Sequence, residues 1–274
     1  YQETAALARR GLALLERLPD HGTRQRQELD LLTVLGPALI ATRGYAAPEV
    51  AGVYERARVL SERADDPQAL FVVLYNTWLT HDLRGDFGRG RDVASQCLQL
   101  ADRVNDESLR MMSQWIRGET ALWTGEFEAA RDHFEAGNSA YDFSRHHGLA
   151  LLHGGYDPGI GGRAIGAHAH WYLGFADRAL VESRAGLAVA RRSAHAHSLA
   201  LALCHAALLH HLRRETADAG ERATAALELA ADQGLTFWVA YARVLRGRAL
   251  VGTGENDTAL ALMAQGIAEY RALG

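Results

Sequence analysis

The chain has 274 residues and a mass of 29.9 kDa, and is 48% hydrophobic and 23% charged, the balance of a folded chain and not of a disordered one. Its net charge is −4, from 29 basic and 33 acidic residues, which excludes the basic excess of a dedicated nucleic-acid binder. All the basic residues are arginine, so a Walker lysine, a Schiff-base lysine and a Ser-x-x-Lys nucleophile are all ruled out. No apolar run reaches the ~18 residues of a membrane span. Cys97 and Cys204 are too few for a disulfide framework or a four-thiolate zinc site. Both fall in helical patterns and read as small buried hydrophobes of a reducing compartment, the cytoplasm. The opening Tyr1-Gln2-Glu3-Thr4, without Met or a signal-peptide pattern, reads as part of something longer.

Five prolines, few β-branched runs and abundant Ala, Leu and Arg favour helix throughout. Residues 1–18 read as a leading helix that Leu18-Pro19-Asp20 ends. A repeat follows. Gly44, Gly85, Gly125, Gly174 and Gly254 recur in a shared turn pattern, and Arg214 holds the equivalent place in LRRETADAGERA. The intervals are 41, 40, 49, 40 and 40 residues, the signature of stacked supersecondary units. They give helical hairpins at about 22–64, 67–104, 108–141, 158–192, 197–232 and 236–272. In the third, helix A is expected from about Met112 to Trp123, with Gly125 as its left-handed exit. Helix B follows from Phe127 to Tyr141, with Phe127, Ala130 and Phe134 on one face. Gly118 and Gly247 stand seven residues before their turn glycines and leave room for helix B to approach.

The 49-residue interval holds about nine extra residues, an insertion loop at about 143–157 that carries His146, His147, His153 and Asp157. Insertions in repeat proteins gather on one face, often the binding face. Asp157-Pro158 is the N-cap and first residue of the next helix. That helix contains Gly159, Gly161, Gly162 and Gly166, each costing ~0.5–1 kcal/mol against Ala. Such glycines imply close approach by either a neighbouring helix or a ligand. The G-x-G-x-x-A match at Gly159–Ala164 lacks the preceding strand that a dinucleotide site requires.

The units resemble the tetratricopeptide repeat, best at Gly118, Gly125, Phe127, Ala130 and Phe134 and at Gly247, Gly254 and Ala259, although they run near 40 residues and the usual unit is shorter. Long units of this kind resemble the C-terminal solenoids of bacterial STAND-type signalling ATPases and of ATPase-linked adenylate cyclases. Leu31–Val50, His153–Gly162 and Leu208–Ala223 are the segments most like that group. The resemblance implies an all-α, right-handed α-solenoid of tetratricopeptide-like hairpins in a single domain, with its function on a concave face built from the A helices. It also implies a non-catalytic protein-interaction or effector-sensing module, with the parent's ATPase or cyclase domains in cis.

With the turn glycine as position 15, positions 2, 5, 9, 12 and 13 of each A helix face the groove. They select Tyr75 and Asp82, then Trp115, Glu119 and Trp123, then His168, Trp171 and Tyr172, then His211, and finally Tyr241 and Arg248. Aromatic residues with a few polar groups suit a peptide, a protein partner or a small effector, or simply pack between helices. Ten of the 13 histidines lie between His146 and His211. No pair is spaced i, i+4 as zinc sites on helices prefer, so no metal or cofactor is expected. A metal-dependent hydrolase using this His-rich middle, for example through His153, Asp157 and His168, is the catalytic alternative. A purely structural or self-associating solenoid is the third reading. The paired acids Asp65/Asp66, Glu126/Glu128 and Glu255/Asp257 sit at turns and helix starts, where negative charge complements the helix dipole. Nucleic acid and membrane are not expected as partners.

Overall fold

The computed structural model describes residues 1–19, 21–44, 47–151 and 156–273. Among them no strand occurs. The helices are α1 Gln2–Leu15, α2 Gly22–Arg43, α3 Pro48–Arg63, α4 Pro67–Leu83, α5 Phe87–Val104, α6 Glu107–Trp123, α7 Phe127–Ala140 and the short α8 Phe143–His146. After a 3-10 turn at His147–Leu151 come α9 Pro158–Tyr172, α10 Ala176–Ser193, α11 Ala196–Leu212, α12 Thr216–Asp232, α13 Thr236–Leu250 and α14 Asn256–Ala272. The fold is an all-α solenoid of tetratricopeptide-like hairpins.

The turns explain the repeat. The amide three residues past helix A closes back five residues: Asp86 N donates to His81 O at 2.9 Å, Glu126 N to Ala121 O at 2.8 Å, Phe175 N to His170 O at 2.8 Å and Glu215 N to His210 O at 2.9 Å. This closure needs a left-handed residue just before it, supplied by Gly85, Gly125 and Gly174 at φ 73°, 82° and 88° and by Arg214 at 63°. The returns from helix B use the same device at Asp65, Asn105 and Gly234. Asp66 and Asp106 then cap the next helix through their side chains, on the amides of Gln68 and Ala69 and of Leu109.

The glycines of α9 make room for aromatic rings. A Cβ on Gly159 would lie 2.5 Å from the Tyr141 ring, one on Gly161 2.8 Å from Tyr156, and one on Gly166 2.9 Å from Phe134, while Gly162 receives the Trp115 indole. Gly118 likewise takes the Phe134 ring, and Gly247 lies against the α14 backbone at Ala259. Close helix packing therefore accounts for them.

Helices α2, α4, α6, α9, α11 and α13 pack on one another in succession as an inner layer, with α3, α5, α7, α10, α12 and α14 outside. The sequence implies an open concave face, but the inner layer closes because α13 returns to contact α2. Gly44, at the end of α2, lies against Leu273, and Tyr1 Oη shares a 2.8 Å hydrogen bond with His195 Nε2. The accessible surface is 12,721 Å², close to the ~11,700 Å² of a compact monomer of this mass. The main core cluster runs through nearly every hairpin.

Candidate functional site

The inner layer holds a cavity of about 240 Å³, which solvent reaches at Trp123 and Tyr270, 39% and 38% exposed. One wall comes from the C-terminal ends of α4 and α6, with Leu79, Asp82 and Leu83, the neighbouring Phe87 of α5, then Glu119 and Trp123. The opposite wall comes from the middle of α9 with Ile165, the first half of α11 with Leu201 and His205, the start of α13 with Phe237, Trp238 and Tyr241, and Tyr270 of α14. Tyr156, just before α9, completes the lining. The contributing positions slide from the helix ends in the early hairpins toward the helix starts in the late ones, so successive inner helices meet the cavity at different heights.

Asp82 is 5% exposed and Glu119 9%. Neither makes an ion pair among the described residues, and Asp82 Oδ1 has no hydrogen-bond partner. Burial pushes both carboxyl groups well above the usual carboxylate range. The charge of Asp82 raises Glu119 further, and a hydrogen bond from the Trp123 indole partly offsets this. Behind them Tyr75 is buried, edge-on to Trp78 at 5.5 Å between ring centres, and hydrogen-bonded to Tyr156. Trp78 Nε1 donates to Thr120 Oγ1 at 2.8 Å, which ties α4 to α6. Across the cavity, Phe237 stands 4.9 Å from Trp238 and 5.2 Å from Tyr270. Trp238 Nε1 is buried without a partner. His205 Nδ1 and His168 Nε2 share a 3.3 Å hydrogen bond. Burial lowers His168 to about 4 and His205, with the added effect of His168, to about 3, so both are neutral at pH 7.

Of the groove residues selected by register, Asp82, Glu119, Trp123 and Tyr241 line the cavity. Tyr75 and His168 lie one layer behind it. Trp115 is buried between α6, α7 and α9, its indole donating to Asn138 Oδ1 at 3.1 Å. Trp171 packs with Ala167, Ala179 and Leu209, and Tyr172 stacks on Phe127 at 4.7 Å. His211 accepts from Arg248 Nε at 2.5 Å. In the insertion, His146 is buried and its Nδ1 accepts from Asp142 N at 2.9 Å. His147 is exposed and stacks on Phe143 at 4.9 Å, and His153 lies outside the described residues. Asp157 caps α9 on the amides of Gly159 and Ile160 and receives the Tyr141 hydroxyl at 2.7 Å. Asp157 and His168 therefore serve separate contacts.

The register reading missed His205, Tyr156, Phe237, Trp238 and Tyr270. The first two fall off the chosen positions, and the others reach the cavity only because the last hairpin comes round to face the second and third. Among the described residues one His/acid grouping has metal-like spacing, His210 with Glu215 and Asp218. Glu215 there already accepts from His210 at 2.6 Å and from Arg213 at 2.9 Å, which neutralises it without an ion.

The geometry defines a class: a helical-repeat solenoid closed around a small interior site. No protein-family model matches the chain. It is 25% identical over 194 residues to an uncharacterized protein of Rhizobium meliloti (strain 1021), an alignment that takes in 70% of this chain and 19% of that protein. The chain thus spans about a fifth of that relative's length. Among solved structures it is similar to the apo form of RapI, at a TM-score of 0.66 and 12% identity over 98% of this chain and 90% of that one. It is similar to BtubC from P. vanneervenii at 0.51 and 13%, over 99% and 91%. A signal-transduction ATPase with a tetratricopeptide-repeat sensor from Pyrococcus horikoshii aligns at 0.49 and 10%, over 95% of this chain and 38% of that one. The first two carry the likeness, which is one of fold.

Proposed function

We propose that this chain is a non-catalytic effector-sensing module of a longer bacterial signalling regulator, and that it takes a small effector inside the central cavity. The observation that carries this reading is the closure of α13 on α2 around a cavity with a buried, unpaired carboxylate on one wall and an aromatic cluster on the other. Convergent polar groups in an apolar concavity are the usual form of a small-molecule site. A peptide laid along the A helices would require the α2–α13 contact to part. The relative's greater length supports further domains in the parent, and the repeat's resemblance suggests an ATPase or cyclase among them. Their docking would change with effector binding only if the effector has unequal affinity for two states of the solenoid. The closed α2–α13 contact seen here and a parted one would form such a pair. Both cysteines are buried and free, and no helix of the described residues is long and apolar enough to cross a membrane. A cytoplasmic location accords with both.

The test is a thermal-melt screen of the purified chain against amines, sugars, amino acids, nucleotides, metal ions and pooled peptides. A ligand that binds only the folded state raises the melting temperature. A shift from one small-molecule class is expected. It should disappear in Leu83→Trp, which adds bulk to the cavity wall, and survive in Tyr172→Ala, outside the lining. Shifts from peptides alone, or a small-molecule shift indifferent to Leu83→Trp, would overturn the reading.

A further inference from the structure

We infer that the effector class is a small organic cation, an ammonium or guanidinium group on a compact apolar body, held between the Asp82 and Glu119 carboxylates and the rings of Trp123, Trp238 and Tyr241. This rests on the reading of the cavity as an effector site and names what that site selects.

Charge comes first. Asp82 and Glu119 both line the cavity, one from α4 and one from α6, and no arginine lines it among the described residues. With two buried carboxyls and no arginine, the cavity offers an anion no cationic partner. Nucleotides, phosphorylated metabolites and acidic peptides are thereby disfavoured, since an unpaired charge in a buried site costs far more than in water. Satisfaction comes second. Asp82 Oδ1 is a buried acceptor with nothing to accept from, and leaving such a group unmet is costly. A ligand N–H donor supplies what the fold withholds. The rest of the lining comes third. Trp123 and Trp238 contribute indoles and Tyr241 a phenol, ring faces that attract cations within ~6 Å and do so most strongly when desolvated. Beyond the two carboxyls the lining offers only the His205 imidazole and the phenols of Tyr156, Tyr241 and Tyr270 as further donors, few of the carboxylate and carbonyl oxygens that a hard cation takes. Among the described residues Asp82, Glu119 and His205 do not converge into a metal-like group. Burial of both carboxyl groups raises their proton affinity, so in the empty site a proton takes the place that the cation occupies when bound.

The decisive comparison holds shape constant and varies charge. Tyramine, tyrosol and 4-hydroxyphenylacetate share one body with a cationic, neutral and anionic head. Choline against 3,3-dimethylbutanol repeats the contrast for a quaternary ammonium, and agmatine supplies a guanidinium. Binding is read by calorimetric titration and by the intrinsic tryptophan fluorescence of the wild-type chain, to which the cavity residues Trp123 and Trp238 contribute. At least one cation is expected to bind at least about tenfold tighter than its neutral isostere. That preference should vanish in Asp82→Asn and Glu119→Gln, near-isosteric changes whose folding is checked by helical circular dichroism. To separate a free amine from a peptide terminus, Tyr-Gly-Gly amide is compared with its N-acetyl form. Binding by the free-amine peptide but not by tyramine would place the cation on a peptide. Tighter binding of a neutral or anionic member overturns the cation inference and leaves the effector site standing. A calcium, magnesium or zinc response lost in the same variants overturns it in favour of a metal. Wild-type fluorescence unmoved by every cation at millimolar concentration overturns it as well.

Discussion

Asp82, Glu119 and His205 line the cavity, with His168 hydrogen-bonded behind His205, and the acids and histidines respond to pH in opposite senses. Asp82 and Glu119 hold protons more tightly in the fold than in the unfolded chain, where values of 3.8 and 4.5 apply. Their contribution to stability is complete below those values and is lost as pH rises through the raised folded values. His168 and His205 fold as neutral imidazoles, lowered from 6.5 to about 4 and about 3. Their contribution is present above 6.5 and is lost as pH falls toward those folded values. Tyr75 and Tyr241, which also face this region, stay protonated at neutral pH because burial raises both. Melting temperature against pH is therefore expected to form a dome. The pair Asp82→Asn and Glu119→Gln should flatten the alkaline limb alone, and His205→Gln should make the acid limb shallower. An alkaline limb unchanged in the carboxyl variants would show that the two groups are not buried as described.

At the scale of the helix and its turn, glycines that look alike in sequence have opposite roles. Gly162 in α9 has no room for a methyl group against Trp115 and Asn138, so Gly162→Ala is expected to lose ~1–3 kcal/mol by overpacking. Gly52 in the middle of α3 has nothing within 4 Å of its would-be Cβ, so Gly52→Ala should gain ~0.5–1 kcal/mol. Urea denaturation measures both. Arg214 occupies the left-handed slot that glycine holds in the sister turns. Arg214→Gly is expected to stabilise by up to ~1–2 kcal/mol, and equal or lower stability would contradict the strain. Much of this scale was legible in the sequence. The 40-residue period marked the Gly85, Gly125, Gly174 and Arg214 turns because each needs one backbone conformation. The cavity was only partly legible. Asp82, Glu119, Trp123 and Tyr241 follow from register, but Trp115 and His168 share that register and pack inward. Trp238 and Tyr270 belong to the site through a contact between distant hairpins that no local pattern encodes.

For the whole molecule, the contact between α2 and α13 matters most, because it converts a groove into an interior. Several small interactions guard it: Tyr1 with His195, Leu273 against Gly44, and the ring contact of Tyr1 with His197 at 6.3 Å. An exposed hydrogen bond such as that of Tyr1 contributes about 0.5–1.5 kcal/mol. Tyr1→Phe should then leave the fold intact and speed amide exchange at the start of α11, measured by hydrogen exchange. The aromatic wall of α13 faces the carboxylate wall of α4 and α6 in the closed ring, so the proposed effector binding would favour closure, and closure would favour binding. Small-angle X-ray scattering of the ligand-free chain measures closure most directly. A closed ring requires a radius of gyration near that of a compact chain of this length, about 19 Å, with a single-peaked pair-distance distribution. A clearly larger radius with an elongated distribution would mean an open array, and would remove the cavity on which the proposed sensing function depends.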